Sequence, residues 1–157
     1  LLAFMMSEFN ERFDGDFGVV ARPENYAQTE YSHSIGKQML AHYDVYFKRP
    51  YYQMGVSKMH MAAIPDFSAG AMENWGLLTY RERGLLYEEG ATTLSAKQYI
   101  ASIVSHEQAH MWFGDLVTCE WWSYTWLNEA FAQYFQYFGT DQVGFQYEAI
   151  FKGNNYF

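Results

Sequence analysis

The stretch Ser105-His106-Glu107-Gln108-Ala109-His110-Met111-Trp112 decides how the rest of the chain is read. On a helix, positions four apart share one face. His106 and His110 can therefore offer imidazole nitrogens to one ion, with Glu107 standing beside it. That arrangement suits zinc and a hydrolytic water, whereas a lone histidine on an apolar face is ordinarily a packing residue. The spacing predicts a helix here: Ser95 followed by Gln98 resembles a capping box, and Ile100, Ile103, Val104 and Trp112 recur at helical intervals. No Pro or Gly interrupts residues 96 to 113.

Zinc used for hydrolysis takes three protein ligands and keeps one position open, and the third ligand is commonly His or a carboxylate. Glu129 follows His110 after eighteen residues, within Trp126-Leu127-Asn128-Glu129-Ala130-Phe131-Ala132. This begins a second apolar-periodic segment, read as a helix running to Phe138 and closed by Gly139. A turn and a returning helix would bring Glu129 to the ion.

His-Glu-x-x-His followed after eighteen residues by Glu resembles the gluzincin metallopeptidases. Gly70-Ala71-Met72-Glu73-Asn74 is similar to the exopeptidase signature of zinc aminopeptidases. The similarity continues through Ile64-Pro65-Asp66-Phe67, Trp75 to Glu82, Trp112 to Thr118, Trp121-Trp122 and Trp126 to Glu129, so it covers nearly the whole chain. It points to the aminopeptidase N branch. Two positions depart from the pattern, Met111 where many relatives have Gln and Ala130 where many have Gly. Neither is a ligand, so they bear on substrate preference more than on chemistry.

The resemblance implies an α+β fold: part of a thermolysin-like zinc peptidase catalytic domain, with a mixed sheet followed by helices, preceded by the end of a β domain. Residues 1–22 would close the amino-terminal β domain, with a boundary near Pro23. Residues 23–157 would form the catalytic domain, incomplete at its carboxy end, the whole being an internal fragment. One Zn2+ per chain is expected on His106, His110 and Glu129, with Glu107 as general base. Gly70, Ala71, Met72, Glu73 and Asn74 are expected to bind substrate, Glu73 by pairing with a free α-ammonium. The implied activity is removal of amino-terminal residues from peptides by attack of a metal-activated water, so the partners are peptides with a free amino terminus. Relatives stabilise the oxyanion with a downstream Tyr, which by their spacing falls beyond Phe157.

The Trp121-Trp122-Ser123-Tyr124 segment resembles animal members, insect gut proteins among them, that are held at the cell surface by a lipid (GPI) anchor. A plasma membrane ectoenzyme is therefore expected, associated with the membrane through parts absent from the fragment and able to form a homodimer. The alternative location is cytoplasmic. A competing function is a cell-surface binding or receptor protein of the same family with little catalytic role, against which the intact ligands and base argue. An endopeptidase is disfavoured by Glu73.

Composition agrees with an apolar-cored globular chain. Of 157 residues, 50 % are hydrophobic and 20 % aromatic. A net charge of −8, from 18 acidic against 10 basic residues with no basic cluster, excludes a phosphate-binding surface and argues against nucleic acid. The single Cys119 rules out a disulfide within the chain or a multi-cysteine metal site, and reads as a buried small hydrophobe. No Asn-x-Ser/Thr glycosylation acceptor and no apolar run of membrane-spanning length occurs.

Elsewhere, Phe17 to Arg22 reads as a strand and Pro23 as a helix start. Ala27, Tyr31, Ile35, Met39, Leu40 and Tyr43 mark a long packing helix over 24–46, weakest at Gly36 and ended by Lys48-Arg49-Pro50. His33, His42 and His60 read as packing residues. Lys58–Ile64 predicts a buried strand, Ser68-Ala69-Gly70 a loop, and Trp75–Tyr80 a second strand whose edge could take up a peptide. A third helix is expected from Thr140 to Phe151.

Overall fold

The computed structural model describes residues 3–144. Five strands form one mixed sheet in the order β1-β2-β3-β5-β4, where β1 is Asn10–Asp14, β2 Phe17–Ala21, β3 Met59–Ile64, β4 Ala71–Met72 and β5 Leu77–Arg81. β1 and β2 make an antiparallel hairpin, β2, β3 and β5 run parallel, and β4 returns antiparallel on β5. The parallel centre is buried on both faces, which is why β2 and β3 read as apolar runs without alternation. The sheet is continuous across Pro23, where the sequence suggested a boundary.

Three helices, α1 (Glu30–Tyr46), α2 (Leu94–Ala109) and α3 (Thr125–Gln142), complete the fold. Val19, Ala21, Met61, Ala63, Leu78 and Tyr80 meet Ile35, Met39, Ile100 and Val104 in one core. The opposite sheet face, with Val20, Ala62 and Leu77, packs against Ala3, Met5 and Phe9. A 3-10 turn over Pro23–Thr29 leads into α1. The helix stops where Lys48 enters the left-handed region at φ 53° before Pro50, a conformation that breaks the helical ladder. Gly36 is no defect: a Cβ there would stand 2.7 Å from Met61 Cε, so its absence lets α1 lie on the sheet.

Several expectations need correction. The N-cap of α2 is Thr93, whose Oγ1 accepts from Ala96 N at 3.2 Å, and Ser95 lies inside the helix. α2 ends at Ala109, so Trp112 packs from the following turn, where its Nε1 donates to the Arg49 carbonyl. α3 starts at Thr125 and runs through Gly139, which is buried against its neighbours and does not terminate the helix. The expected helix from Thr140 thus begins inside α3, and most of it lies outside the described residues. The free side of β5 is occupied by β4, so β4 is the outer strand at that end of the sheet and the one placed for strand addition. Cys119 is half-buried on the wall of a cleft. Met111 lies in the core and Ala130 is exposed, and neither lines that cleft.

Candidate active site

α2 packs along α3, and their facing sides bring the predicted ligands together. His106 Nε2 and His110 Nε2 lie 3.1 Å apart. Glu129 Oε2 lies 3.3 Å from His106 Nε2 and 3.6 Å from His110 Nε2. Tetrahedral zinc with bonds of ~2.0–2.2 Å sets its ligand atoms about 3.4 Å apart, so the triangle has the required size.

Proton placement supports the same reading. His110 Nδ1 stands 2.9 Å from the Phe113 carbonyl and His106 Nδ1 3.1 Å from Gln136 Oε1, both pure acceptors. Each Nδ1 therefore carries the ring proton, and in the neutral rings each Nε2 is a bare lone pair. Two lone pairs and a carboxylate oxygen then face one another with no proton among them, an arrangement that a cation relieves. Burial, and the neighbouring His110, hold the His106 pKa below its ordinary value, favouring the neutral ligand form. The donor set therefore fits zinc.

Local geometry explains how His110 is held beyond the last turn of α2. The chain folds back so that Asp115 N donates to the His110 carbonyl and Gly114 N to the Val117 carbonyl, each at 3.0 Å. Gly114 takes φ +147°, and a Cβ there would lie 3.2 Å from the His110 carbonyl, so glycine suits this close approach. Phe113, whose carbonyl holds His110, is stacked on Phe131 and Phe135 of α3 with centroids at 4.6 and 5.3 Å.

The cleft beside the ligands has a volume of about 730 Å³. Ala71, Met72 and Glu73 form one wall, and Thr118 to Trp122 with Asn128 form another. Glu73, Glu107 and His110 offer donor atoms that all lie within 4.8 Å of one another. Glu107 is 5 % exposed, and its pKa is pushed well up by burial first and by Glu73 and Glu129 next. Gly70 and Asn74 flank the cleft without lining it. The Gly70 carbonyl accepts from Arg81 N, and Asn74 closes the β4–β5 turn by accepting from Leu77 N at 2.8 Å and donating to Thr79 Oγ1. Among the described residues no tyrosine lines the cleft.

Two residues escaped the sequence reading. Gln136 lies two helical turns beyond Glu129 on the same face of α3, a spacing that could have flagged it. Asp115 lines the cleft with a buried Oδ2 that has no partner, and burial together with Glu73 raises its pKa to about 7. No local signal distinguishes Asp115, because its neighbours come from the β4–β5 turn.

A two-histidine, one-carboxylate set that runs from buried His110 out to exposed Glu129, with a second, desolvated carboxylate alongside, defines a candidate hydrolytic metal centre. The chain belongs to peptidase family M1, whose domain matches residues 31–154. It is 48 % identical over 149 residues to a membrane alanyl aminopeptidase of Manduca sexta and 46 % identical over 149 residues to an aminopeptidase N of Haemonchus contortus. Each match covers 91 % of this chain and 15 % of the relative. A glutamyl aminopeptidase of Sus scrofa is 43 % identical over 125 residues, covering 80 % of this chain and 13 % of its own. The chain thus spans about 15 % of the length of the curated relatives it matches.

Proposed function

We propose that this chain carries the catalytic centre of a zinc-dependent aminopeptidase with a thermolysin-like arrangement, cleaving amino-terminal residues from peptides. His106, His110 and Glu129 would hold the metal. When bound, zinc supplies a Lewis acid that polarises the scissile carbonyl and acidifies water. Glu107 takes the proton of the attacking water and passes it to the leaving amine. Burial raises its pKa, which makes the carboxylate a stronger base for taking that proton. Glu73 pairs with the substrate α-ammonium and so places the first peptide bond at the metal, while Ala71 and Met72 face the first residue.

The observation that carries this reading is the placement of Glu73 within 4.8 Å of Glu107 and His110, beside the three-donor set. A carboxylate there serves a free amino terminus and nothing an internal peptide offers. The relatives' names include both alanyl and glutamyl aminopeptidases, so the preferred first residue is not assigned. A cell-surface location with a lipid anchor, by analogy with the relatives named membrane aminopeptidases, and assembly as a homodimer belong to the same proposal. Among the described residues no helix is long and apolar enough to cross a membrane.

The test compares one peptide with its amino terminus free and acetylated, on zinc-loaded protein and on Glu107→Gln. Cleavage confined to the free peptide is expected, with Glu107→Gln keeping its zinc and losing about a hundredfold to ten-thousandfold in turnover. Equal cleavage of the acetylated peptide, or full turnover in Glu107→Gln, would rule the reading out.

A further inference from the structure

Away from the cleft, three buried groups meet where α1, α2 and α3 cross. Tyr43 Oη and Ser105 Oγ lie 2.6 Å apart, and they stand 2.8 and 2.9 Å from the Phe135 carbonyl. Both residues are fully buried. Two hydroxyl protons serve the three oxygens, so one hydroxyl donates to the other, which donates to the carbonyl. Inside a helix, serine ordinarily returns its hydroxyl to a carbonyl three or four residues back, as Ser102 does to Tyr99 at 2.9 Å. Ser105 instead reaches across to another helix. Gly139 makes the junction possible, because a Cβ there would come within 2.3 Å of Tyr43 Oη and 2.5 Å of Ser105 Oγ.

Each end of this junction adjoins the metal-donor set. Ser105 immediately precedes His106. Phe135 immediately precedes Gln136, whose Oε1 accepts from His106 Nδ1 at 3.1 Å, and Glu129 belongs to the same helix as Phe135. The hydroxyl pair thus fixes α3 against α2 one residue from the contact that aims His106. A shift of α3 by about 0.5 Å, the tolerance of a preorganised site, would disturb Gln136 and Glu129 together.

We propose that Tyr43 and Ser105 are positioning residues for the metal centre, acting through the Phe135 carbonyl on Gln136, which orients His106. The proposal rests on the metal-site reading above and extends it to residues that touch neither the ion nor the peptide. Zinc affinity of the purified full chain, measured by competition with a chromogenic chelator, reads this apart from catalysis. Ser105→Ala and Tyr43→Phe are each expected to weaken zinc binding by about tenfold to a hundredfold, the loss typical when a group that orients a ligand is removed. The visible spectrum of the cobalt-substituted protein should shift in both.

Ser102→Ala, which removes a hydroxyl bonded only within its own helix, should change neither readout. Gln136→Met should reproduce the loss, and adding Ser105→Ala to it should cost little more, because both act on His106 along one path. Tyr43→Phe keeps the ring and its packing, and takes the place of Ser105→Ala in the cycle if that variant does not fold. Unchanged affinity in both hydroxyl variants, or losses that add fully with Gln136→Met, overturns the proposal. An unsubstituted chain that binds no zinc overturns the metal reading itself, and this proposal with it.

Discussion

Glu73 and Asp115 are two carboxylates lining one cleft that carry different burdens. In the proposed reading Glu73 pairs with a cationic chain end, and deleting one partner of a desolvated charge pair costs roughly 2 to 5 kcal/mol. Glu73→Ala is therefore expected to lower kcat/KM for free-amine peptides by that amount while shrinking the preference over acetylated ones, which paired rate measurements check. Asp115 has a folded pKa of about 7 against 3.8 for a free side chain. Between those values the folded chain holds a proton that the unfolded chain has released. This contribution is fully present below about pH 4 and is lost as pH rises through about 7, at no more than ~1.4 kcal/mol per pH unit. Half-buried histidines with lowered pKa values, such as His33 and His60, act in the opposite sense on acidification. The difference between the metal-free wild type and Asp115→Asn isolates the Asp115 part: urea midpoints should lie close together at pH 4, where the protonated carboxyl resembles the amide, and the wild type should fall progressively below the variant at pH 5.5 and 7. The gathering of His106, His110 and Glu129, with Glu107 beside them, was legible because a helix maps spacing onto a face. Asp115 was not, because its environment comes from residues distant in sequence.

At the scale of elements, helices read better than strands. α1 showed itself by the recurrence of Ile35, Met39, Leu40 and Tyr43, all buried as the pattern required. β1 was missed because Asn10–Asp14 is almost wholly exposed and so carries no apolar alternation, although Gly15-Asp16 is a recognisable two-residue hairpin turn. β4 has only two residues, too few for any pattern, and its absence from the reading left β5 looking like an edge. Gly139 was misjudged because glycine after an apolar run resembles a helix stop, whereas here it accommodates two hydroxyls. Gly139→Ala is accordingly expected to destabilise the chain by about 1–3 kcal/mol. The overpacking of a fully buried junction outweighs the ~1 kcal/mol that alanine gains in helix propensity. A lowered urea midpoint with an unchanged m value is the expected result, and a raised midpoint would show that the junction yields more easily than its distances suggest.

The molecule as a whole joins two parts of different character. The sheet gathers strands from residues 10 to 81, and its parallel pairs connect segments far apart in sequence. Apolar composition foretold a core but could not rank the strands, since the order β1-β2-β3-β5-β4 depends on crossovers that no local signal encodes. The α2–α3 pair, in contrast, is one consecutive stretch, two helices joined by residues 110–124, and the proposed donors fall between residues 106 and 129. It leaves Trp121 and Trp122 at the cleft, and Trp126, between 61 % and 77 % exposed, so apolar surface marks this part more than the sheet.

That all three proposed metal donors fall in one consecutive stretch of two packed helices has a consequence in time. Contacts between residues close in sequence form early, because little loop entropy has to be overcome, whereas parallel strand pairing is slow. The donors can therefore assemble before the sheet is complete, and a zinc ion captured at that stage would cross-link the two helices and hand the remaining chain a preformed surface to condense on. Refolding from urea with zinc present from the first moment should outpace refolding with zinc added after a delay, as followed by tryptophan fluorescence. Identical time courses would mean that the ion arrives only once the fold is finished.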